Sequence, residues 1–208
     1  MDVDSKKKVI LITGTSKGIG FYLTNHYIKK NCIVIGCSRS KNNYKNKNYY
    51  HYTLNVSDEN KVLKMFLEIR KKFKKLDVLI NNAGIASMNH SLLTPMTTVK
   101  NILSTNIEGT FLMSREASKI MQNKKFGRII NFSTVAVPLN LEGEAIYASS
   151  KSAVVSLTKT LSKELGSFGI TVNAIGPTPV KTDLIKKVPL KKIDELIKKQ
   201  AIKRFGTF

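Results

Sequence analysis

"KKVILITGTSKGIG", residues 7–20, decides how the rest of the chain is read. Val9 to Thr13 are apolar or β-branched without a break, which suits a strand covered on both faces. The run passes directly into Thr13-Gly14-Thr15-Ser16-Lys17-Gly18-Ile19-Gly20, and a stretch of helix length follows. The first glycine can turn tightly out of a strand. A second lets backbone approach a ligand, and a third lets helix pack closely on strand. The start of such a helix offers unpaired N–H groups and the positive end of its dipole to a pyrophosphate. Strand, glycine turn and helix in this order predict a phosphate-binding unit at the head of the fold.

Five more apolar runs follow: CIVIGC (32–37), YYHYTLNV (49–56), LDVLINNA (76–83), GRIINFS (127–133) and GITVNAIG (169–176). All are rich in β-branched residues. Helical patterns lie between them. Residues 58–74 place Val62, Met65, Phe66 and Ile69 on one stripe, with Asp58 as N-cap. Residues 145–166 do the same with Val154, Val155, Leu157, Leu161 and Leu165. Alternating strand and helix argues for an α/β fold, a doubly wound parallel sheet of about six strands with helices on both faces. The length of 208 residues suits a single domain, 1–208. Residues 41–49, dense in Asn, Lys and Tyr, read as a polar loop.

Composition narrows the function. No apolar run is long enough to span a bilayer, and the N-terminal run is too short for a signal peptide, so a cytoplasmic location is expected. Cys32 and Cys37 fit no metal or redox spacing and read as core residues. His26, His51 and His90 are scattered, so no metal site is expected. The net charge of +21 invites a nucleic-acid reading. Against it, 30 lysines stand beside 5 arginines, spread along the whole chain, whereas base readers depend on arginine's planar fork. No specific nucleic-acid partner is expected.

"EAIYASSKSAV", residues 144–154, sets Tyr147 four residues before Lys151. That spacing puts phenol and ammonium on one helix face, and a nearby cation favours phenolate. With 7 tyrosines and 30 lysines, about one such pair arises by chance, so it needs company. The company is Asn81-Asn82-Ala83-Gly84 after the fourth run, Asn106 in a following helix, and Ser133-Thr134 ending the fifth run. Together with the G-x-x-x-G-x-G turn, these ordered motifs resemble the short-chain dehydrogenase/reductase family, over residues 7 to 206. "GRIINFS", "YASSKSAV" and "GITVNAIGP" look most like its 3-oxoacyl-carrier-protein reductase branch.

The resemblance implies a Rossmann-like fold and an oxidoreductase that moves a hydride between a nicotinamide and a carbonyl or secondary alcohol. Tyr147 is then the proton donor in reduction, Lys151 lowers its pKa and bonds the nicotinamide ribose, and Asn106 holds a relay water. The substrate-orienting hydroxyl is Thr134 by count from Tyr147, with Ser133 as the alternative. Cofactor contacts are implied at Gly14, Ser16, Lys17, Gly18, Ile19 and Gly20 of the turn, at Asn82, Ala83 and Gly84, and at Asn55 and Val56 near the adenine. Asn55 stands where the family commonly has Asp. The second run ends Cys37-Ser38-Arg39 with no carboxylate for a ribose hydroxyl, while Arg39 and Lys17 could neutralise a 2′-phosphate. NADP(H) is therefore expected over NAD(H). Pro177, Val180 and Thr182 occupy the family's nicotinamide loop, with Thr178 in place of its usual Gly.

Residues 184–201 carry Leu184, Ile185, Ile193, Leu196 and Ile197 among lysines, a pattern for a substrate lid over 184–208. Family members usually continue through a further helix and a seventh strand, so a shortened member with an exposed sixth strand is expected. The helices near 98–122 and 145–166 would pair two copies into a homodimer. A small-molecule carbonyl or alcohol is the expected substrate. The alternative is a catalytically silent, dinucleotide-binding regulator.

Overall fold

Each of the six apolar runs forms a strand: β1 (Val9–Thr13), β2 (Ile33–Ser38), β3 (Tyr49–Thr53), β4 (Val78–Asn81), β5 (Gly127–Phe132) and β6 (Ile170–Ile175). The computed structural model describes residues 6–183, 185 and 188–208. The strands make one parallel sheet in the order β3-β2-β1-β4-β5-β6. Chain order reverses between β1 and β4, the place where doubly wound sheets open a ligand crevice beyond their carboxyl ends. β1 and β2 are buried at every position, which explains their unbroken apolar sequence. β6 has no further strand beyond it among the described residues, and Thr171, Asn173, Ala174 and Ile175 are exposed.

Helices cover both faces. α1 (Gly18–Lys29) lies over one, where Ile10, Ile12, Val34, Tyr49 and Ile80 form a core patch with Ile19 and Leu23. α2 (Glu59–Phe73) helps to cover the other with a stripe of Val62, Met65, Phe66 and Ile69. The Asp58 carboxylate accepts from Lys61 N at 3.1 Å and caps α2 as its sequence predicts. The helix expected near 98–122 is not continuous. α3 (Met96–Leu103) passes through a π turn at Ser104–Glu108 into α4 (Gly109–Met121). Such a turn inserts a residue and redirects a side chain, and Asn106 sits in it. One turn, α5 (Ala136–Leu139), leads to α6 (Ala145–Gly166), which carries Tyr147 and Lys151.

After β6 the chain forms α7 (Leu190–Lys198), with Ile193 buried and Leu196 and Ile197 half-buried. Leu184 of the expected apolar stripe lies outside the described residues. The last residues then fold back. Gly206 N donates to Pro179 O at 2.9 Å, beside a single parallel bridge between Val180 and Gly206. Phe208 stacks on Tyr22 of α1 with centroids 5.0 Å apart. Cys32 and Cys37 are buried free thiols, and burial pushes the Cys37 thiol up to about 12.

Candidate active site

The carboxyl ends of the strands open onto one crevice with two lobes. The glycine turn builds the floor of the first. Gly14 has φ +75°, and a side chain there would meet Asn82 Nδ2 at 2.9 Å. A Cβ at Gly20 would run into the Gly14 carbonyl, so Gly20 packs beneath the turn and does not line the crevice. Asn82 also turns inward: its Nδ2 donates to Thr13 O at 2.8 Å and Gly14 O at 3.3 Å. Ala83 N donates to Thr13 Oγ1 at 2.8 Å. The Asn-Asn-Ala-Gly segment therefore stiffens the turn from below.

Around that floor the first lobe encloses about 420 Å³. Gly14, Ser16, Lys17, Gly18 and Ile19 form one wall, Ser38 and Arg39 a second, and Asn55, Val56, Ala83 and Gly84 a third. α1 begins at this wall with no side-chain cap, which leaves its first N–H groups to an anion. A cradle that excludes side chains and ends in uncapped amides fits a dinucleotide pyrophosphate. Lys17 Nζ lies 3.0 Å from Asp183 Oδ2, an exposed pair that competes with any phosphate for the ammonium. Arg39 has no ion pair among the described residues.

The second lobe, about 470 Å³, shares Ile19, Asn82, Gly84 and Thr182 with the first. Ser133, Thr134, Tyr147, Lys151, Pro177 and Val180 line it, with Ile193 and Leu196 of α7 above. Tyr147 and Lys151 reach the same wall, as their spacing predicts. Their electrostatics differ from the expectation. Burial raises the Tyr147 pKa above the usual phenol range; a hydrogen bond with Thr134 opposes this, and Glu144 adds to it. Burial outweighs the opposing effects on the phenol. Lys151 Nζ donates to Phe132 O at 2.7 Å, and burial lowers its own pKa to about 8.

The two hydroxyls at the end of β5 make different contacts. Ser133 Oγ donates to Lys151 O at 3.4 Å, which ties β5 to α6. Thr134 is the one that bonds Tyr147. Asn106 is fully buried and absent from the wall. Its Oδ1 accepts from Ile85 N at 2.9 Å, and its Nδ2 donates to Ile85 O and to Ser150 Oγ, each at 3.0 Å. Both amide protons are thus engaged, and the side chain clamps the loop after β4 to α6. A Cβ built on Gly84 would lie 3.2 Å from Lys151 Nζ and 3.3 Å from Asn106 Oδ1, so these two groups converge beneath Gly84.

Sequence reasoning missed several groups. Glu144 lines the second lobe with one carboxylate oxygen buried and without a partner. Asn81 Nδ2 donates to Ser114 Oγ at 2.9 Å and to Asn131 Oδ1 at 2.8 Å, and Asn131 Nδ2 donates to Thr158 Oγ1 at 2.9 Å. This ladder fastens β4, β5, α4 and α6 below the site. Asn81 stood in a recognised motif, but no spacing announced its partners.

Known proteins can now be set beside this geometry. The sequence profile described as short chain dehydrogenase matches residues 8–192. The chain belongs to the short-chain dehydrogenase family. Among relatives of this short-chain dehydrogenase is the 3-oxoacyl-[acyl-carrier-protein] reductase of Buchnera aphidicola subsp. Schizaphis graminum. It is 32% identical over 208 residues, covering 97% of this chain and 85% of the relative. The Escherichia coli K12 protein of the same name is 32% identical over 185 residues, 86% of this chain and 76% of that one. The solved structure of ElxO with NADP bound superposes with a TM-score of 0.87 at 33% identity, covering 96% of this chain and 86% of that chain. As a short-chain dehydrogenase the chain is an NAD(P)-dependent oxidoreductase.

Proposed function

We propose that this protein reduces a 3-oxoacyl thioester or a closely related carbonyl with NADPH, and that Tyr147 delivers the proton. The carrying observation is the convergence of Thr134, Tyr147 and Lys151 on a lobe continuous with the glycine-turn lobe. NADP(H) is preferred over NAD(H): β2 ends at Ser38 and runs into Arg39-Ser40 with no carboxylate, and ElxO, a relative by structure, holds NADP.

The glycine turn and the α1 amides would hold the pyrophosphate, Asn55 and Val56 the adenine side, and Pro177, Val180 and Thr182 the nicotinamide side. The bound dinucleotide supplies the hydride. Tyr147 keeps its proton because burial raises its pKa, so the neutral phenol is ready to donate to a carbonyl oxygen. Thr134 orients that oxygen beside the phenol. Lys151, with a pKa of about 8, holds a proton it can release near neutral pH. Asn106 positions the loop through Ile85 and holds α6 through Ser150.

The whole chain acts as one catalytic domain, and α7 with its flanks serves as the lid over an acyl chain; Ile193 and Leu196 in the wall support this. An acidic acyl carrier suits a surface of net charge +21. Two copies pair through α4 and α6, a reading supported by Phe111 standing 44% exposed on α4. No helix among the described residues is long and apolar enough to cross a membrane, and the cytoplasm is the proposed location. The test is NADPH oxidation with 3-oxoacyl thioesters of increasing chain length, with Tyr147→Phe as control. Turnover that rises with chain length and is lost in the control supports the reading. Absence of oxidation with every thioester sinks it.

A further inference from the structure

The adenosine end of the crevice contains a polar network that neither the motifs nor the proposed chemistry uses. It links the two loops that would hold the cofactor's phosphates. Tyr49 Oη lies 3.1 Å from Thr15 Oγ1 in the glycine turn. The same oxygen lies 3.0 Å from His51 Nδ1. The far ring nitrogen, Nε2, lies 3.2 Å from Ser40 O and 3.3 Å from Ser38 Oγ. Ser38 Oγ itself donates to Ser40 O at 2.8 Å. Asn42 closes the network, with Nδ2 donating to Thr15 O and to Tyr49 Oη, each at 3.2 Å.

Chemistry fixes the proton on the imidazole. A backbone carbonyl can only accept, so Nε2 carries the hydrogen and donates to Ser40 O. Nδ1 is then the acceptor in its contact with Tyr49, and the single phenol proton is shared between Nδ1 and Thr15 Oγ1, whose own hydroxyl can donate back to the phenol oxygen. Burial lowers the His51 pKa, in keeping with a neutral ring. Strand geometry explains why these two residues cooperate. Tyr49 and His51 are two apart on β3 and share a face, pointing toward the glycine turn. Gly36, opposite His51 on β2, leaves the space: a Cβ there would collide with Tyr49 Oη and approach Thr15 Oγ1 at 2.6 Å.

We infer that Tyr49 and His51 are positioning residues for the 2′-phosphate of NADP(H). They clamp the Ser38–Ser40 loop, and with it Arg39, at a fixed offset from the glycine turn. Ser38, Arg39 and Ser40 line the first lobe, whereas Tyr49 and His51 do not, so the pair acts through the loop. NADH lacks the phosphate and does not draw on Arg39's placement. Losing the clamp therefore costs NADPH affinity and spares NADH.

Equilibrium titration of NADPH and of NADH, followed by cofactor fluorescence, tests this on the full chain. His51→Val keeps a good strand residue but removes both ring nitrogens. It should weaken NADPH about tenfold and change NADH less than twofold, and Tyr49→Phe should do the same, in the range of one lost hydrogen bond. His51→Gln retains an N–H that can reach Ser40 O and should hold the NADPH/NADH ratio within threefold of wild type. Equal weakening of both cofactors would show that the network supports only the fold and would overturn the inference. So would an unchanged ratio in His51→Val, or a loss in the Gln variant as large as in the Val variant. The titration needs no turnover, so it stands apart from the assignment of substrate.

Discussion

The two lobes of the crevice solve opposite problems. The first is assembled from backbone, glycine and neutral side chains, with its charged groups, Lys17, Arg39 and Asp183, at the exposed rim. The second buries the pair on its inner wall, Tyr147 at 8% exposed and Lys151 at 5%, and leaves Lys192, Glu195 and Lys199 exposed at its mouth. Rim charges steer and bind a strongly solvated anion at small cost. Buried charges are costly, and they shift the protonation equilibria that proton transfer requires. The comparison teaches that a lysine-rich surface says little about either lobe. What matters is where the protein strips a charge of water.

The sharpest break of the symmetry is Tyr147→Phe. It should lower kcat by about 10³-fold, the scale of general acid catalysis, while the dissociation constant for NADPH stays within about twofold. A comparable loss of NADPH binding would erase the distinction between lobes. Next comes the pair at the end of β5. Thr134→Ala should lower kcat about 10²-fold, as expected for a donor lost from a reacting oxygen, and Ser133→Ala less than about tenfold. A reversed order would reassign the substrate hydroxyl.

Lys151→Met tests the cost of the buried charge. With a pKa of about 8 in the fold against 10.5 for the free side chain, the unfolded state binds more protons between those values. Stability of the wild type therefore rises with pH across that window, and below it the full penalty applies. The Met variant should be inactive yet more stable at pH 7, by about 1–3 kcal/mol once the lost Phe132 hydrogen bond is deducted. That gain should fade in denaturant melts as pH climbs from 8 toward 10.5. The smallest effect belongs to the rim. Asp183→Asn releases Lys17 from an exposed pair and should tighten NADPH by about two- to threefold at low salt, with little change at high salt.

The sheet was legible because its information is local. β1 and β2 are covered on both faces, so their sequences stay almost wholly apolar, and α2 shows its stripe because its other side faces water. Gly14 and Gly20 were legible as a spacing, and so were Tyr147 and Lys151. What escaped depends on partners far apart in sequence. Tyr49 meets Thr15 across 34 residues, and Asn81 meets Asn131 across 50. The π turn at Asn106 also escaped, because its residues have ordinary helical composition and the extra residue reveals itself only in backbone geometry. Desolvation escaped for the same reason: the Tyr147–Lys151 spacing correctly placed two groups on one wall, but their pKa shifts come from everything packed around them.

Gly206 sets the height of a hinge it never belongs to. Any side chain at that position would press on the Thr178 methyl at 2.8 Å and the Val180 methyl at 3.2 Å, lifting the strip that lines the second lobe. The floor of the first lobe was shaped by omitting side chains at Gly14 and Gly20. The roof of the second is trimmed by the same device, at a glycine almost two hundred residues further along the chain than Gly14.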